Sequence, residues 1–220
     1  MANRDEVRRM AAESIASGDA TGWFEELYRK ADGAWDRIPW ADLAPNPYLV
    51  EWLSGEGAAS SGSTCLVVGC GLGDDAEALA ARGWDVVAFD VSETAIDACH
   101  ARFPASTVQW VVADALAPPT TWRGRFDLVF ESYTLQMLPP EARSVATTAL
   151  AAMAAPGGRL LVLCRAREAY EPAGQLPWPL TREELGAFCA HGLTEVSFES
   201  FLDAEDPPVR RFRALYARPV

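Results

Sequence analysis

The sequence is poor in positive charge, and only one of its 19 cationic residues is a lysine, Lys30. Aspartate and glutamate number 31, so the formal net charge is −12 at pH 7. Phosphate backbones and anionic lipid surfaces repel a chain of this charge. We therefore expect no nucleic-acid partner and no membrane partner, and we expect the arginines at 210, 211 and 213 to lie on the exposed face of a strand.

Metal-binding and disulfide patterns are also missing. The five cysteines are scattered without a C-x-x-C pair, and His100 and His191 lie far from any metal-ligand spacing. No apolar run approaches the roughly 20 residues that span a bilayer. The charged N-terminus lacks the apolar stretch of a secretory signal. These absences predict reduced cysteines, no metal, and a cytoplasmic protein, which we expect to be a monomer or a homodimer.

The 220 residues are half apolar, which is enough for one large domain with a small extension. Residues 1–57 are predicted helical and contain four of the eight tryptophans. A linker of small residues, AASSGS, follows at 58–63. We therefore predict an N-terminal helical cap or lid over 1–57 and a main domain over 58–220.

From Thr64 onward, short apolar runs alternate with alanine-rich helical stretches. Such runs are typical of strands buried on both faces of a parallel sheet. The predicted strands are Cys65–Val68, Val86–Phe89, Val108–Val112, Leu128–Phe130, Leu160–Leu163, Thr194–Phe201 and Arg211–Ala217. The predicted helices are Asp75–Arg82, Glu93–Arg102, Pro140–Ala155 and Arg182–His191. This order predicts a doubly wound, Rossmann-like α/β fold.

The first of these strands runs into a glycine-rich turn, Gly69-Cys70-Gly71-Leu72-Gly73, which a helix follows. Glycines there permit a tight turn and let a ligand approach the backbone at the carboxyl edge of the sheet. The dinucleotide fingerprint G-x-G-x-x-G would need a glycine where Asp74 stands. Asp74 and Asp75 would also compete with a pyrophosphate for the amides at the helix start, whereas a cationic ligand meets no such conflict.

An acid, Asp90, ends the second predicted strand, 21 residues after Gly69. A carboxylate at this point can accept hydrogen bonds from ribose hydroxyls. A nucleoside with a positively charged tail and no phosphate satisfies both observations. The sequence therefore predicts S-adenosyl-L-methionine as the ligand.

These residues resemble those of class I S-adenosylmethionine-dependent methyltransferases, and within them the thiopurine and halide/thiol methyltransferase group. Similar stretches are the Gly69–Asp75 turn, Arg82–Val87, Asp90–Ile96, Phe126–Arg143 and the Pro-Gly-Gly turn at 156–158. Val67 stands where the wider family often has an acid. The resemblance implies a seven-stranded, mostly parallel sheet with an antiparallel C-terminal strand and an N-terminal helical cap.

The resemblance also implies which residues contact the cofactor. The glycines at 69, 71 and 73 would approach the methionine part, Asp90 the ribose and Val91 the adenine. Asp114 and Ala115 would meet the exocyclic amine, and the alternative for Asp114 is an ordinary cap between strand and helix. The remaining implied contacts are Trp35, Cys70, Asp75, Glu131 and Ser132, the last two beneath the methionine and the methyl group.

No histidine stands where a general base would be expected, since His100 and His191 fit structural or solvated positions. By position, Glu131 and Tyr133 are the best proton acceptors, and Asp75 is a third that equally fits a helix cap. We expect Trp35 and Tyr133 to contact ligands. For Trp23, Trp40 and Trp178, a substrate cage and ordinary core packing stay equally open.

The predicted activity is methyl transfer to a small-molecule acceptor, either a thiol sulfur or a heterocyclic nitrogen or oxygen. A site without a dedicated base suits a nucleophile that ionises readily near pH 7. Two other functions stay open. One is a non-catalytic S-adenosylmethionine-binding partner subunit, and the other is an NAD(P)-dependent oxidoreductase, against which Asp74 and Asp75 argue.

Overall fold

The computed structural model describes residues 4–55, 57–60 and 62–220. The chain divides into two compact units, Met1–Ala115 and Leu116–Val220. Among the described residues, no helix combines the length and the apolar character that crossing a membrane requires.

The first unit begins with helices and continues as alternating strands and helices. Its helices are α1 (Arg4–Ala16), α2 (Gly22–Ala31), α3 (Pro47–Ser54), α4 (Asp74–Ala80) and α5 (Glu93–Arg102), with a 3-10 turn at Trp35–Arg37. Its strands are β1 (Thr64–Val68), β2 (Asp85–Asp90) and β3 (Gln109–Val112). They run parallel in the order β3-β2-β1, with Cys65 opposite Val86 and Phe89 opposite Val111.

Local chemistry explains where the helices of the first unit begin. The Asn46 side chain accepts the Tyr48 N–H at the start of α3, and Pro47 occupies the first helical position. The Ser92 side chain accepts the Ala95 N–H at the start of α5. Strands β1 and β2 are buried along nearly their whole length, which explains their unbroken apolar composition.

The second unit contains the remaining four strands. They are β4 (Phe126–Ser132), β5 (Ala154–Arg165), β6 (Thr194–Leu202) and β7 (Arg210–Ala217). Its helices are α6 (Pro140–Met153) and α7 (Arg182–Ala190), with 3-10 turns at Thr120–Trp122 and Leu135–Met137. The strand order is β4-β5-β7-β6, in which β4 and β5 are parallel and β7 runs antiparallel to both of its neighbours.

The predicted fold class is confirmed: the sheet has seven strands and is mostly parallel, with an antiparallel strand at the C-terminus. The predicted boundary between 57 and 58 stays a prediction. One expectation about the surface is wrong. Arg211 is buried rather than exposed, because its guanidinium is paired with Asp203 and Glu205.

Candidate functional site

The glycine turn of the first unit adopts backbone conformations that glycine favours. Gly69, Gly71 and Gly73 have φ angles of 58°, 53° and 92°. A Cβ on Gly73 would lie 2.7 Å from the Trp110 ring, and one on Gly71 would lie 3.1 Å from the Tyr28 hydroxyl. Glycine at positions 71 and 73 therefore lets the Tyr28 and Trp110 side chains pack closely against the turn.

The turn is tied to the end of β2 through Asp90. The Gly71 N–H donates to Asp90 Oδ2 at 2.9 Å, and the Ser92 N–H donates to Asp90 Oδ1 at 3.0 Å. Burial raises the pKa of Asp90, and the N–H groups of Ser92, Gly71 and Val91 partly offset that rise. An ionised carboxylate offers about four lone-pair sites, so Asp90 retains capacity for a further donor such as a ribose hydroxyl.

The two acids at the start of α4 have separate partners. Arg102 holds Asp74 by two hydrogen bonds of 2.7 and 2.8 Å and also donates to the Leu72 carbonyl. Asp75 accepts the Asn46 N–H at 2.6 Å, and burial raises the pKa of Asp75 to about 6. Because Arg102 balances the charge of Asp74, the electrostatic argument against a pyrophosphate rests mainly on Asp75. Helix α4 begins at Asp74, directly after Gly73, and no described side chain caps its N-terminus by a hydrogen bond.

Two thiols lie beside the turn. Cys99 Sγ is 3.3 Å from the Gly71 carbonyl oxygen, and Cys70 Sγ is 4.0 Å from the same oxygen. Burial raises the pKa of Cys70 well above its ordinary value, and its contact with Cys99 raises that pKa further. The Cys70 thiol therefore remains protonated near neutral pH.

Helix α2 packs against the same region through groups that the sequence did not identify. Glu25 accepts hydrogen bonds from the Ser92 hydroxyl at 2.6 Å and from the Thr94 hydroxyl at 2.7 Å. Tyr28 is fully buried, and its hydroxyl accepts the Trp40 indole N–H at 2.9 Å. Tyr28 shares the buried face of α2 with Trp23 and Leu27, but nothing local in the sequence indicates that it reaches Gly71.

The predicted aromatic residues of the first unit occupy different environments. Trp23 is 1% exposed, stacks on Phe24 at 3.9 Å and donates its indole N–H to the Ala20 carbonyl. Trp40 is partly buried, and its indole N–H is used by Tyr28. Trp35 is partly buried within its 3-10 turn.

The predicted adenine contacts follow β2 and β3 directly. Val91 and Asp114 are partly buried and Ala115 is buried. Asp114 Oδ2 lies 3.4 Å from the Thr21 hydroxyl at the start of α2. These residues therefore belong to the same unit as the glycine turn and Asp90.

In the second unit, Glu131 lies near the end of β4 and is completely buried. Its Oε1 accepts the N–H groups of Thr134 and Leu135 at 2.7 and 2.9 Å. Among the described residues, no hydrogen-bond partner reaches its Oε2. Burial raises the pKa of Glu131 to about 7, although the two N–H groups and Arg143 lower it. Glu131 therefore changes protonation near neutral pH.

Tyr133 follows β4 in a left-handed conformation, with a φ of 63°, which is uncommon for a residue other than glycine. The Arg211 guanidinium lies 5.0 Å from the centre of the Tyr133 ring. Asp203 fixes that guanidinium at 2.7 Å. Ser132 is partly buried at the end of β4.

The other predicted groups of the second unit lie elsewhere. Trp178 is partly buried, and its backbone N–H donates to the Gln136 backbone carbonyl at 2.8 Å. His191 is exposed and contacts the Thr148 hydroxyl at 3.2 Å. In the first unit, His100 is exposed on α5. Both histidines occupy positions that suit structural or solvated side chains.

Comparisons with known proteins agree with this fold. A family model described as a methyltransferase domain matches residues 65–158. The 2-heptyl-1-hydroxyquinolin-4(1H)-one methyltransferase of Mycobacteroides abscessus is 30% identical over 152 residues, which cover 68% of this chain and 65% of that protein. Probable thiol methyltransferase 2 of Arabidopsis thaliana is 27% identical over 163 residues, which cover 73% of this chain and 67% of that protein. The chain spans about half to two thirds of the length of the curated relatives it matches.

Solved structures cover more of the chain. A structure from work on the conversion of a disulfide bond into a thioacetal group during echinomycin biosynthesis has a TM-score of 0.74 and 26% identity, covering 90% of this chain and 93% of its own. An N-methyltransferase of Bradyrhizobium japonicum in complex with S-adenosylhomocysteine has a TM-score of 0.68 and 23% identity, covering 88% of this chain and 99% of its own. The predicted family resemblance is confirmed. Residues 65–158 match the methyltransferase domain family, and the chain has the fold of the class I S-adenosylmethionine-dependent methyltransferases and is similar to relatives in the thiol methyltransferase group.

Proposed function

We propose that this chain transfers a methyl group from S-adenosylmethionine to a small-molecule acceptor. The observation that carries the proposal is the three-glycine turn, whose Gly71 N–H is fixed on the buried Asp90 carboxylate. When bound, the cofactor supplies a methyl group that is activated by a positively charged sulfur. The open backbone of Gly69–Gly73 would hold its methionine part, and the remaining acceptor capacity of Asp90 would hold its ribose.

We propose that the other residues singled out from the sequence also bind the cofactor or the substrate. Asp75 and Cys70 border the glycine turn, and Val91, Asp114 and Ala115 follow the next two strands of the first unit. The full set proposed for the cofactor is Trp35, Gly69, Cys70, Gly71, Gly73, Asp75, Asp90, Val91, Asp114, Ala115, Glu131 and Ser132. The set proposed for the substrate is Trp23, Trp40, Tyr133 and Trp178, of which Trp23 has the least accessible side chain.

Glu131 is proposed as the group that accepts a proton from the acceptor. A pKa of about 7 lets a carboxyl group gain and lose a proton at neutral pH, which is what general acid–base catalysis requires. Its Oε2 is the oxygen that the described backbone leaves available. Tyr133 is proposed to bind the acceptor beside it, and its role as a proton acceptor stays a prediction.

The acceptor atom is proposed to be a thiol sulfur or a heterocyclic nitrogen or oxygen. Support for sulfur comes from the thiol methyltransferase relative, and support for a heterocycle comes from the hydroxyquinolone methyltransferase relative. A thiol has an ordinary pKa near 8.5, so it ionises with little assistance. A ring oxygen or nitrogen of higher pKa depends more strongly on Glu131.

Calorimetric titration followed by product analysis tests this function. Purified chain is titrated with S-adenosylmethionine, NAD⁺ and NADP⁺, and S-adenosylhomocysteine release is then measured with thiols, heterocyclic amines, phenols and halide. We expect S-adenosylmethionine to bind and NAD⁺ and NADP⁺ not to bind. We also expect mass spectrometry to detect methylation of one acceptor class. Binding of NAD⁺ or NADP⁺ instead would support an oxidoreductase. Binding of S-adenosylmethionine without turnover on any acceptor would support a non-catalytic partner subunit.

A further inference from the structure

The Tyr28 side chain lies against the glycine turn at Gly71. Its hydroxyl oxygen would lie 3.1 Å from a Cβ on Gly71, and no other group of the described residues outside the turn lies within 4 Å of that point. Tyr28 is 1% exposed although it comes from α2 rather than from the sheet. A buried hydroxyl beside a proposed ligand site requires an explanation, because burying a polar group that lacks hydrogen-bond partners is costly.

The position of Tyr28 is fixed by hydrogen bonds that a neighbouring side chain of α2 makes. Glu25, three residues earlier in the same helix, accepts from the Ser92 hydroxyl, the Thr94 hydroxyl and the Thr94 N–H. These bonds lower the pKa of Glu25 even though its partial burial raises it, so the carboxylate stays charged. The helix that carries Tyr28 is therefore held against the N-terminus of α5.

The hydroxyl of Tyr28 is also oriented. The Trp40 indole N–H donates to it at 2.9 Å and occupies a lone pair of the phenol oxygen. The Tyr28 proton has no acceptor among the hydrogen bonds of the described residues, which leaves one donor facing the turn. Burial raises the pKa of Tyr28 well above its ordinary value, and the nearby charge of Asp90 raises it further, so the phenol keeps its proton.

A fixed donor beside Gly71 requires an acceptor on the ligand. S-adenosylmethionine carries one anionic group, the carboxylate of its methionine part, and its ammonium group has no lone pair to accept a hydrogen bond. Charge-assisted hydrogen bonds are about twice as strong as neutral ones. We propose that the Tyr28 hydroxyl, oriented by Trp40, binds the methionine carboxylate of the cofactor. This inference rests on the proposed function, because it requires that the cofactor binds at the glycine turn.

The test compares two ligands and three variants by calorimetry. The ligands are S-adenosylmethionine and decarboxylated S-adenosylmethionine, which lacks only the carboxylate. Tyr28→Phe removes the hydroxyl and keeps the ring. Trp40→Phe removes the orienting N–H and keeps an aromatic ring beside Trp23 and Phe24. Tyr170→Phe, at a tyrosine that is 85% exposed, is the matched control.

We expect Tyr28→Phe to weaken binding of S-adenosylmethionine by about five- to tenfold. Trp40→Phe is expected to weaken it by about two- to fivefold, and Tyr170→Phe by less than twofold. Decarboxylated S-adenosylmethionine is expected to bind the original chain and Tyr28→Phe equally, since the partner of the hydroxyl is missing. Thermal unfolding curves confirm that each variant is folded.

Two results would overturn the proposed role of Tyr28 and leave the proposed function of the chain intact. One is unchanged binding of S-adenosylmethionine by folded Tyr28→Phe, and the other is an equal loss of affinity for both ligands. If the original chain binds neither ligand, the proposed function fails, and the role of Tyr28 fails with it. The affinity of the original chain for S-adenosylmethionine therefore shows whether the proposed function has failed or only the role of Tyr28.

Discussion

Asp90 and Glu131 are both buried carboxylates at the carboxyl end of a parallel strand, one in each unit of the chain. Both oxygens of Asp90 accept a backbone N–H, whereas Glu131 places two N–H groups on Oε1 and leaves Oε2 without a partner among the described residues. The pKa of each is raised by burial, that of Glu131 to about 7. Asp90 therefore suits a fixed acceptor for a ligand, and Glu131 suits a group that exchanges a proton.

The largest expected effect concerns the stability provided by Glu131. Glu131→Ala removes the acceptor of two backbone N–H groups, Thr134 and Leu135, and each buried donor left unpaired costs about 1–3 kcal/mol. We expect urea unfolding to show a loss of about 3 kcal/mol, against about 1 kcal/mol for Glu131→Gln, which keeps an acceptor oxygen. Glu141→Gln, at an exposed glutamate in the first turn of α6, is the control. Equal stability of the Ala and Gln variants would mean that Oε1 does not hold this turn.

The pH dependence of stability separates Glu131 from the other acids. Its pKa rises from 4.5 to about 7 on folding, so the folded state binds the proton more tightly than the unfolded state does. Its contribution to stability is complete below pH 4.5 and is lost as pH rises through 7. Relative to Glu131→Gln, we expect the original chain to lose about 2–3 kcal/mol between pH 5 and pH 8. Parallel pH profiles of the two proteins would contradict the raised pKa.

Cofactor affinity is the next expected effect, and it tests Asp90. Asp90→Ala is expected to weaken binding of S-adenosylmethionine by about 2 kcal/mol, the loss typical of charge-assisted hydrogen bonds. Asp85→Ala replaces the exposed acid at the opposite end of the same strand and is expected to bind normally. Calorimetry that gives the two variants the same affinity would exclude Asp90 as a ribose ligand.

The smallest expected effect concerns Ser92. Its N–H holds Asp90, whereas its hydroxyl caps α5 and donates to Glu25, so Ser92→Ala keeps the first contact and loses the other two. We expect a loss of about 1–2 kcal/mol in the free energy of unfolding, for a missing helix cap and a missing side-chain hydrogen bond. Because the Thr94 hydroxyl and N–H still hold Glu25, affinity for S-adenosylmethionine is expected to change less than twofold. A larger loss of affinity than of stability would show that the side chain itself positions Asp90.

Much of the fold could be predicted because its signals are local. The helix Glu93–Arg102 begins and ends where predicted, since Ser92 caps it and apolar residues recur at helical spacing. Strand β1 differs from the prediction by one residue. Strand β5 begins six residues earlier than predicted, because Ala154 pairs with Phe126 across a register shift and the Pro-Gly-Gly turn lies within the extended segment.

The contacts that shape the site could not be predicted because their partners are distant in the chain. Glu25 and Ser92 are 67 residues apart, and Asp74 and Arg102 are 28 apart. The glycine turn and Asp90 belong to a recognisable sequence motif, so both could be predicted as cofactor contacts. Tyr28 and Arg102 carry none, since a tyrosine on an apolar helix face and an arginine near a helix end have many ordinary uses.

The left-handed backbone of Tyr133 affects which residues a mutant library would favour at this position. A residue other than glycine in that conformation costs on the order of 1 kcal/mol or more, and such residues concentrate at functional sites. A library screened for thermal stability alone would therefore favour glycine or asparagine at this position. A library screened for turnover would be expected to retain the aromatic ring that faces Arg211. Position 133 is thus where selection for stability and selection for activity would diverge.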